Sequence, residues 1–110
     1  MSKKIEAIIR SEKLNQVKSA LEGIGVLGMT VYEVHGRGEQ KGLEFTHRAG
    51  KYRVDLLPKT KIEIIVNDAD LQKVIDTVIA SARTGDIGDG KIFVSPVDEV
   101  YTISKGTAGL

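Results

Sequence analysis

The sequence contains no cysteine and no tryptophan, only two prolines, and only five aromatic residues, three tyrosines and two phenylalanines. Without cysteine there are no disulfides, no thiol nucleophile and no cysteine-ligated metal. Phe45, Phe93, Tyr32, Tyr52 and Tyr101 are too few and too scattered to build a base-stacking platform. Excess charge is missing as well: 16 basic residues face 15 acidic ones, for a net charge of +1. A nucleic-acid partner, which calls for a strongly basic face, is therefore not expected. No apolar run approaches the length of a membrane span, and the opening Met-Ser-Lys-Lys-Ile-Glu alternates polarity where a signal peptide would be uniformly apolar. These absences predict a cytoplasmic protein.

What remains is an ordinary globular composition, 41% hydrophobic and 28% charged over 110 residues, enough for one domain with a real core. Leu14, Val17, Leu21 and Ile24 recur at helical spacing, with Ser11 as the expected N-cap and Gly25 as the expected stop. Leu71, Val74, Ile75, Val78, Ile79 and Ala82 form a second, wider stripe, with Asn67 or Asp68 as cap and Gly85 as terminator. Strands are predicted at 4–9, 29–34, 60–66 and 91–94, with a short fifth at 100–103. The two halves repeat at an offset of 57, which carries Lys4-Ile5-Glu6 onto Lys61-Ile62-Glu63, Leu14 onto Leu71 and Val17 onto Val74. One βαβ unit used twice predicts an α+β fold, the ferredoxin-like βαββαβ sandwich, with both helices on one face of an antiparallel sheet.

Helices can cover one sheet face only. The other would present Glu6, Ile8, Glu63, Ile65 and Phe93, too apolar a set to stay wet, so self-association is expected. Between the halves, residues 35–55 show no sustained period, four glycines and an excess of basic side chains. So long an irregular connection predicts a mobile, cationic, protruding arm.

Two glycine-punctuated segments could carry chemistry. In Thr84-Gly85-Asp86-Ile87-Gly88-Asp89-Gly90-Lys91, successive amides could form an anion-binding nest with Lys91 as cation, or the segment could be a plain turn. Its order of lysine and helix excludes a Walker A loop. Gly36-Arg37-Gly38-Glu39-Gln40-Lys41-Gly42 reads as a hinge at the arm's root unless it meets the first loop in space. The catalytic inventory is poor. His35 and His47 lie in or beside the arm, where no general base is held in place and no metal-ligand spacing arises. Glu6 and Glu63 occupy equivalent repeat positions and have no nucleophile or histidine beside them. An enzyme and a metal site are not expected.

The run from Thr84 to Val94 resembles the C-terminal signature of the PII nitrogen-regulatory proteins. Residues 4–10, 28–31, 36–42 and 54–59 are similar to further segments of that family, so the resemblance covers nearly the whole chain in register. It implies a homotrimer with adenine-nucleotide sites between subunits. By resemblance, Thr30, Glu63, Ile64 and Ile65 would border the adenine. Gly36, Gly38, Gln40 and Lys41 at the arm's root, with Gly88, Asp89, Gly90 and Lys91, would surround the phosphates. The arm corresponds to the family's T-loop, which docks onto transporters and enzymes; Arg37, Arg48, Lys51, Tyr52 and Arg53 would supply the partner contacts. Any membrane location would be peripheral, through a transporter partner. Tyr52 falls where some members are uridylylated.

The departures from the family pattern carry expectations of their own. The sequence around Tyr52 lacks the usual surroundings of the modified tyrosine, which argues against modification. Glu39 stands where an arginine is usual, and Thr102 and Ser104 replace two more arginines near the C-terminus. The resemblance is thus to a divergent or PII-like member that binds ADP or ATP, favours ADP, and responds poorly to 2-oxoglutarate with magnesium, which the family holds through ATP and the residue matching Gln40. The alternatives are a nucleotide-insensitive trimeric binding module and a weak nucleotide hydrolase.

Overall fold

The structure is a computed structural model and describes residues 1–37, 43–47, 50–54 and 56–110, with only the backbone described between 43 and 54. The chain opens with β1 (Ser2–Ile9), whose alternation sends Ile5, Ala7 and Ile9 to one side, all at most 2% exposed. A 3-10 turn at Ser11–Lys13 leads into α1 (Leu14–Gly23), which drives Val17 and Leu21 completely out of solvent. Beyond it come β2 (Thr30–Gly36), a hairpin of β3 (Leu43–His47) and β4 (Gly50–Val54), and the long β5 (Leu57–Asn67). A second 3-10 turn, Asp68–Asp70, precedes α2 (Leu71–Ala82), followed by β6 (Gly90–Val97) and a short hairpin of β7 (Tyr101–Thr102) and β8 (Thr107–Ala108).

The main sheet has the order β2-β5-β1-β6 with every neighbour antiparallel. This is the ferredoxin-like sandwich that the repeat predicts. Ile5, Ala7, Ile9, Ile62, Ile64 and Val66 from the sheet meet Val17, Leu21, Val74, Val78 and Ala82 from the helices in one core. Each of the larger side chains contributes roughly 1.5–3 kcal/mol by leaving water. Ile79 departs from its expected place: it is 47% exposed, facing a groove beside edge strand β6 instead of the core.

The repeat is visible in the pairing. Glu6 lies directly opposite Glu63 between β1 and β5, so a local two-fold axis passes between them. Lys4 and its repeat mate Lys61 each bridge both carboxylates at 3.2–3.5 Å, a closed box of two cations and two anions. Hydrogen bonds from the lysines hold the Glu6 carboxyl below its ordinary value. Glu63 is lowered first by the Tyr32 hydroxyl, which donates to Oε1 at 2.8 Å, and then by Lys4. Outside the box, on the same uncovered face, Ile65 and Phe93 are 37% and 52% exposed.

Several local expectations need correction. Ser11 is not an N-cap: it lies within the 3-10 turn, and its Oγ is 3.1 Å from the buried Thr60 hydroxyl. Neither Asn67 nor Asp68 caps α2 through its side chain. The Asp68 carboxylate instead pairs with Lys3 at 2.8 Å and the N-terminal amine at 3.5 Å. Helix α2 ends where Arg83 turns extended, two residues before Gly85. Gly25 does stop α1: with φ at +87° it lets its own amide reach the Glu22 carbonyl and that of Val26 reach Leu21. The stretch expected to be irregular holds the β3–β4 hairpin, in register Leu43 opposite Val54 and Phe45 opposite Tyr52. Five-residue alternations are too short to stand out as a period. His35 and Gly36 belong to β2, so the arm begins after them.

Candidate functional site

One end of the main sheet gathers most of the chemistry the sequence offers. There β1 ends at Ile9, with Arg10 just beyond it, β2 ends at Gly36, β5 begins with Leu57-Pro58-Lys59, and β6 begins at Gly90. The register sets their levels: Ile9 faces Gly90 on one side and Thr60 on the other, and Gly36 faces Leu57, three positions further along β5. Residues 84–89 close over this end, and their shape is fixed from two sides.

From within, the Asp89 carboxylate gathers the start of the loop. Its Oδ2 accepts the amides of Thr84 and Gly85, each at 2.8 Å, and its Oδ1 accepts the Thr84 hydroxyl at 2.5 Å. These bonds hold its carboxyl far below the usual carboxylate range, the Thr84 hydroxyl first among them. From below, Arg10 donates Nε to Asp89 Oδ1 at 3.0 Å and Nη2 to the Ile87 carbonyl at 2.7 Å. Lys59 donates Nζ to the Gly88 carbonyl at 2.7 Å. Burial, and then the nearby Arg10 charge, lower the pKa of Lys59.

These contacts decide where the amides point. Across a trans peptide the carbonyl and the following N–H project in opposite directions. With the carbonyls of Ile87 and Gly88 turned toward the two cations, the amides of Gly88 and Asp89 face away from them. The first half of the suggested nest is filled by the loop's own side chains, since the Asp86 amide also bonds the Thr84 hydroxyl; the second half presents its donors outward. Gly85, Gly88 and Gly90 carry φ of +96°, +103° and +105°, a region that L side chains rarely adopt. At Gly90 a Cβ would also lie 1.7 Å from the Ile8 carbonyl oxygen.

Lys91, exposed, follows on β6 opposite Ile8. It stands at the rim of an apolar groove of about 450 Å³ between α2 and β6. Arg37, also exposed, is the last described residue before the arm. Gly38, Gln40, Lys41 and Arg48 lie outside the described residues, as do the side chains of Lys51, Tyr52 and Arg53.

The residues matched to adenine lie elsewhere. Thr30 opens β2 directly opposite Glu63 of β5. Ile64 is 2% exposed with its side chain in the core, so only its backbone can meet a ligand. Pairing of β2 with β5 stops at Glu63, while β1 pairs with β5 as far as Asn67; residues 64–67 thus have no β2 neighbour along that edge. From Thr30 to Gly36 the chain advances six residues, roughly 20 Å along the strand.

The sequence reading assigned no role to Arg10 or Lys59. The available signal was a cation at the end of one central strand and at the start of the other, both flanking a glycine loop. Among the described residues no group of three or more potential ligands could hold a metal, and no helix is long and apolar enough to cross a membrane.

The comparisons with known proteins agree with this architecture. The family model described as Nitrogen regulatory protein P-II matches residues 2–107. Nitrogen regulatory protein P-II 2 of Methanothermobacter thermautotrophicus is 61% identical over 107 residues, covering 97% of this chain and 93% of that protein. Nitrogen regulatory protein P-II of Nostoc punctiforme is 54% identical over 104 residues, covering 94% and 93%. The crystal structure of Arabidopsis thaliana PII bound to citrate is similar at a TM-score of 0.79 and 40% identity, covering 98% of this chain and 85% of that one. With a match over almost its entire length, this chain belongs to the P-II family of nitrogen regulatory signal-transduction proteins.

Proposed function

We propose that this P-II protein is an adenine-nucleotide sensor that assembles with copies of itself and regulates a target by direct contact through the arm at residues 37–55. One observation carries the reading: Gly90 lies level with Ile9, Thr60 and Glu33, three positions along the sheet from Thr30 and on the opposite edge strand, so about 10 Å along the strands and about 14 Å across them separate the loop from Thr30, roughly 17 Å in all. That is further than adenine lies from the phosphates of a single nucleotide. A site using both sets of residues therefore takes its adenine end from one copy and its phosphate end from the next. Members of the family are trimers that interact with target proteins, and a trimer supplies both the second copy and a cover for the sheet's open face. The base would meet the backbone edge of residues 64–67, and the phosphates the outward amides of Gly88 and Asp89 together with Lys91. The arm's root, with Gly36, Gly38, Gln40 and Lys41, completes the phosphate side.

Members of the family bind adenine nucleotides and 2-oxoglutarate. In this chain ADP is favoured over ATP and the 2-oxoglutarate response with magnesium is weak. Thr102 spends its hydroxyl on the Gly109 carbonyl at 2.9 Å, and neither Thr102 nor Ser104 offers the outer phosphates a charge. A charge-assisted hydrogen bond is worth about 1.5–3 kcal/mol, so losing one costs roughly tenfold or more in affinity. The mechanism is a population shift, in which a nucleotide favours one arm conformation over another and thereby changes target affinity. The target, a transporter at a membrane surface or a metabolic enzyme, would be reached by Arg37, Arg48, Lys51, Tyr52 and Arg53.

Calorimetry with ADP, and with magnesium-ATP with and without 2-oxoglutarate, tests this reading. Binding of ADP more tightly than ATP is expected. Tight magnesium-ATP binding strongly enhanced by 2-oxoglutarate overturns the ranking; absence of nucleotide binding overturns the sensor and leaves a nucleotide-insensitive binding module.

A further inference from the structure

We propose that Asp89 and Arg10 govern nucleotide affinity as positioning residues, clamping the 84–90 loop so that its amides face the phosphates while neither side chain touches the ligand. The proposal rests on the nucleotide-sensor reading above and deepens it.

An ionised carboxylate offers about four acceptor positions. Asp89 has four donors within 3.0 Å: the amides of Thr84 and Gly85, the Thr84 hydroxyl and Arg10 Nε. It has nothing left for a ligand hydroxyl or a cation. Its charge is matched by Arg10, so it does not repel phosphate as a bare carboxylate would. Arg10 is committed too, one nitrogen to Asp89 and another to the Ile87 carbonyl. That second bond has the directional consequence: holding this carbonyl inward turns the Gly88 amide outward. Both side chains are roughly four-fifths covered, at 18% and 22% exposed, as internal struts of a loop are.

The two roles predict opposite signs. If Asp89 faced the phosphates, Asp89→Asn would remove a like charge and tighten ADP binding. If it clamps the loop, the same change loosens the amide array and weakens ADP at least tenfold. Adenosine, which lacks phosphates, should then bind equally well to the variant and the wild type. Arg10→Lys keeps the charge but cannot span both acceptors, so it should show the same selective loss. Thr84→Val should weaken ADP as well, and Thr84→Ser, which restores the hydroxyl, should recover it. Variants that bind ADP as well as or better than the wild type overturn the proposal, as does a parallel fall in adenosine affinity. Amide exchange without nucleotide tests the clamp alone: the Thr84 and Gly85 amides should exchange at least tenfold faster in Asp89→Asn. Unchanged exchange refutes the clamp even if the wild type binds ADP. A wild type that binds no ADP refutes the sensor reading itself, and with it the positioning role, whatever the exchange rates show.

Discussion

Two alanine substitutions, close in sequence but different in surroundings, test the account of the loop most directly: Gly85→Ala and Gly90→Ala. Both glycines sit at nearly the same positive φ, +96° and +105°, so both variants pay the same backbone strain of about 1–2 kcal/mol. Restricting the unfolded chain returns about 0.4–1 kcal/mol of that in each case. At Gly85 the new methyl has nothing within 4 Å, which leaves a net loss of about 1 kcal/mol. At Gly90 it would lie 1.7 Å from the Ile8 carbonyl oxygen and 2.7 Å from the carbonyl carbon, both backbone atoms that no side-chain rotation can clear. The start of β6 must then move more than an ångström off β1, giving up at least one ladder hydrogen bond and the adjoining packing, about 1–2 kcal/mol further. The expected total is about 2–3 kcal/mol. Urea unfolding at one fixed protomer concentration separates the two, because a difference of about 1–2 kcal/mol moves the midpoint by about 0.5–1 M at ordinary slopes. Equal midpoint shifts with unchanged slopes would refute the close approach of β6 to Ile8.

The ionic box makes stability depend on pH. Glu6 and Glu63 have folded-state pKa values below the ordinary 4.5, so near that pH the unfolded chain binds more protons. Their contribution is present above about 4.5 and lost as pH falls through the lowered values; the melting temperature should drop on acidification, and drop less in a Glu6→Gln/Glu63→Gln variant. Parallel profiles would show that the box adds nothing. On the same face, Phe93→Asp places a carboxylate beside Glu6, its partner across β1 and β6, and should abolish assembly. Light scattering should then give a mass near the 11.9 kDa of one chain for the variant and about three times that for the wild type; identical masses would remove the open face from the interface.

The fold was legible because its signals are periodic and occur twice. Val17, Leu21, Val74 and Val78 are buried where helical spacing puts them, and the offset of 57 reappears as Glu6 facing Glu63. The helix starts were not legible, because capping is a competition between partners. Asp68 had Lys3 and the N-terminal amine within reach, and Ser11 had Thr60, none of them apparent from local sequence. The loop's clamp was hidden for a similar reason: Arg10 and Asp89 are 79 residues apart and meet only once β1 and β6 pair. A glycine-rich segment reveals that a backbone can bend, whereas the direction of its amides depends on which distant cations hold its carbonyls.

In the sensor reading, the repeat also explains why the site would be divided. Each βαβ unit has one helix-to-strand connection, residues 24–29 in the first and 83–89 in the second, and the offset of 57 carries Gly28 onto Gly85. The local two-fold axis between Glu6 and Glu63 places these equivalent connections at opposite ends of the sheet. The first ends in Thr30, at the end matched to adenine. The second carries Asp89 and Gly90 and is held by two cations from the central strands, and in the sensor reading it is the phosphate end. An internal axis that separates two halves of one site cannot bring them together within a single chain. Joining them takes an external symmetry, supplied by a second copy, and in the sensor reading that is what makes nucleotide binding and assembly mutually dependent.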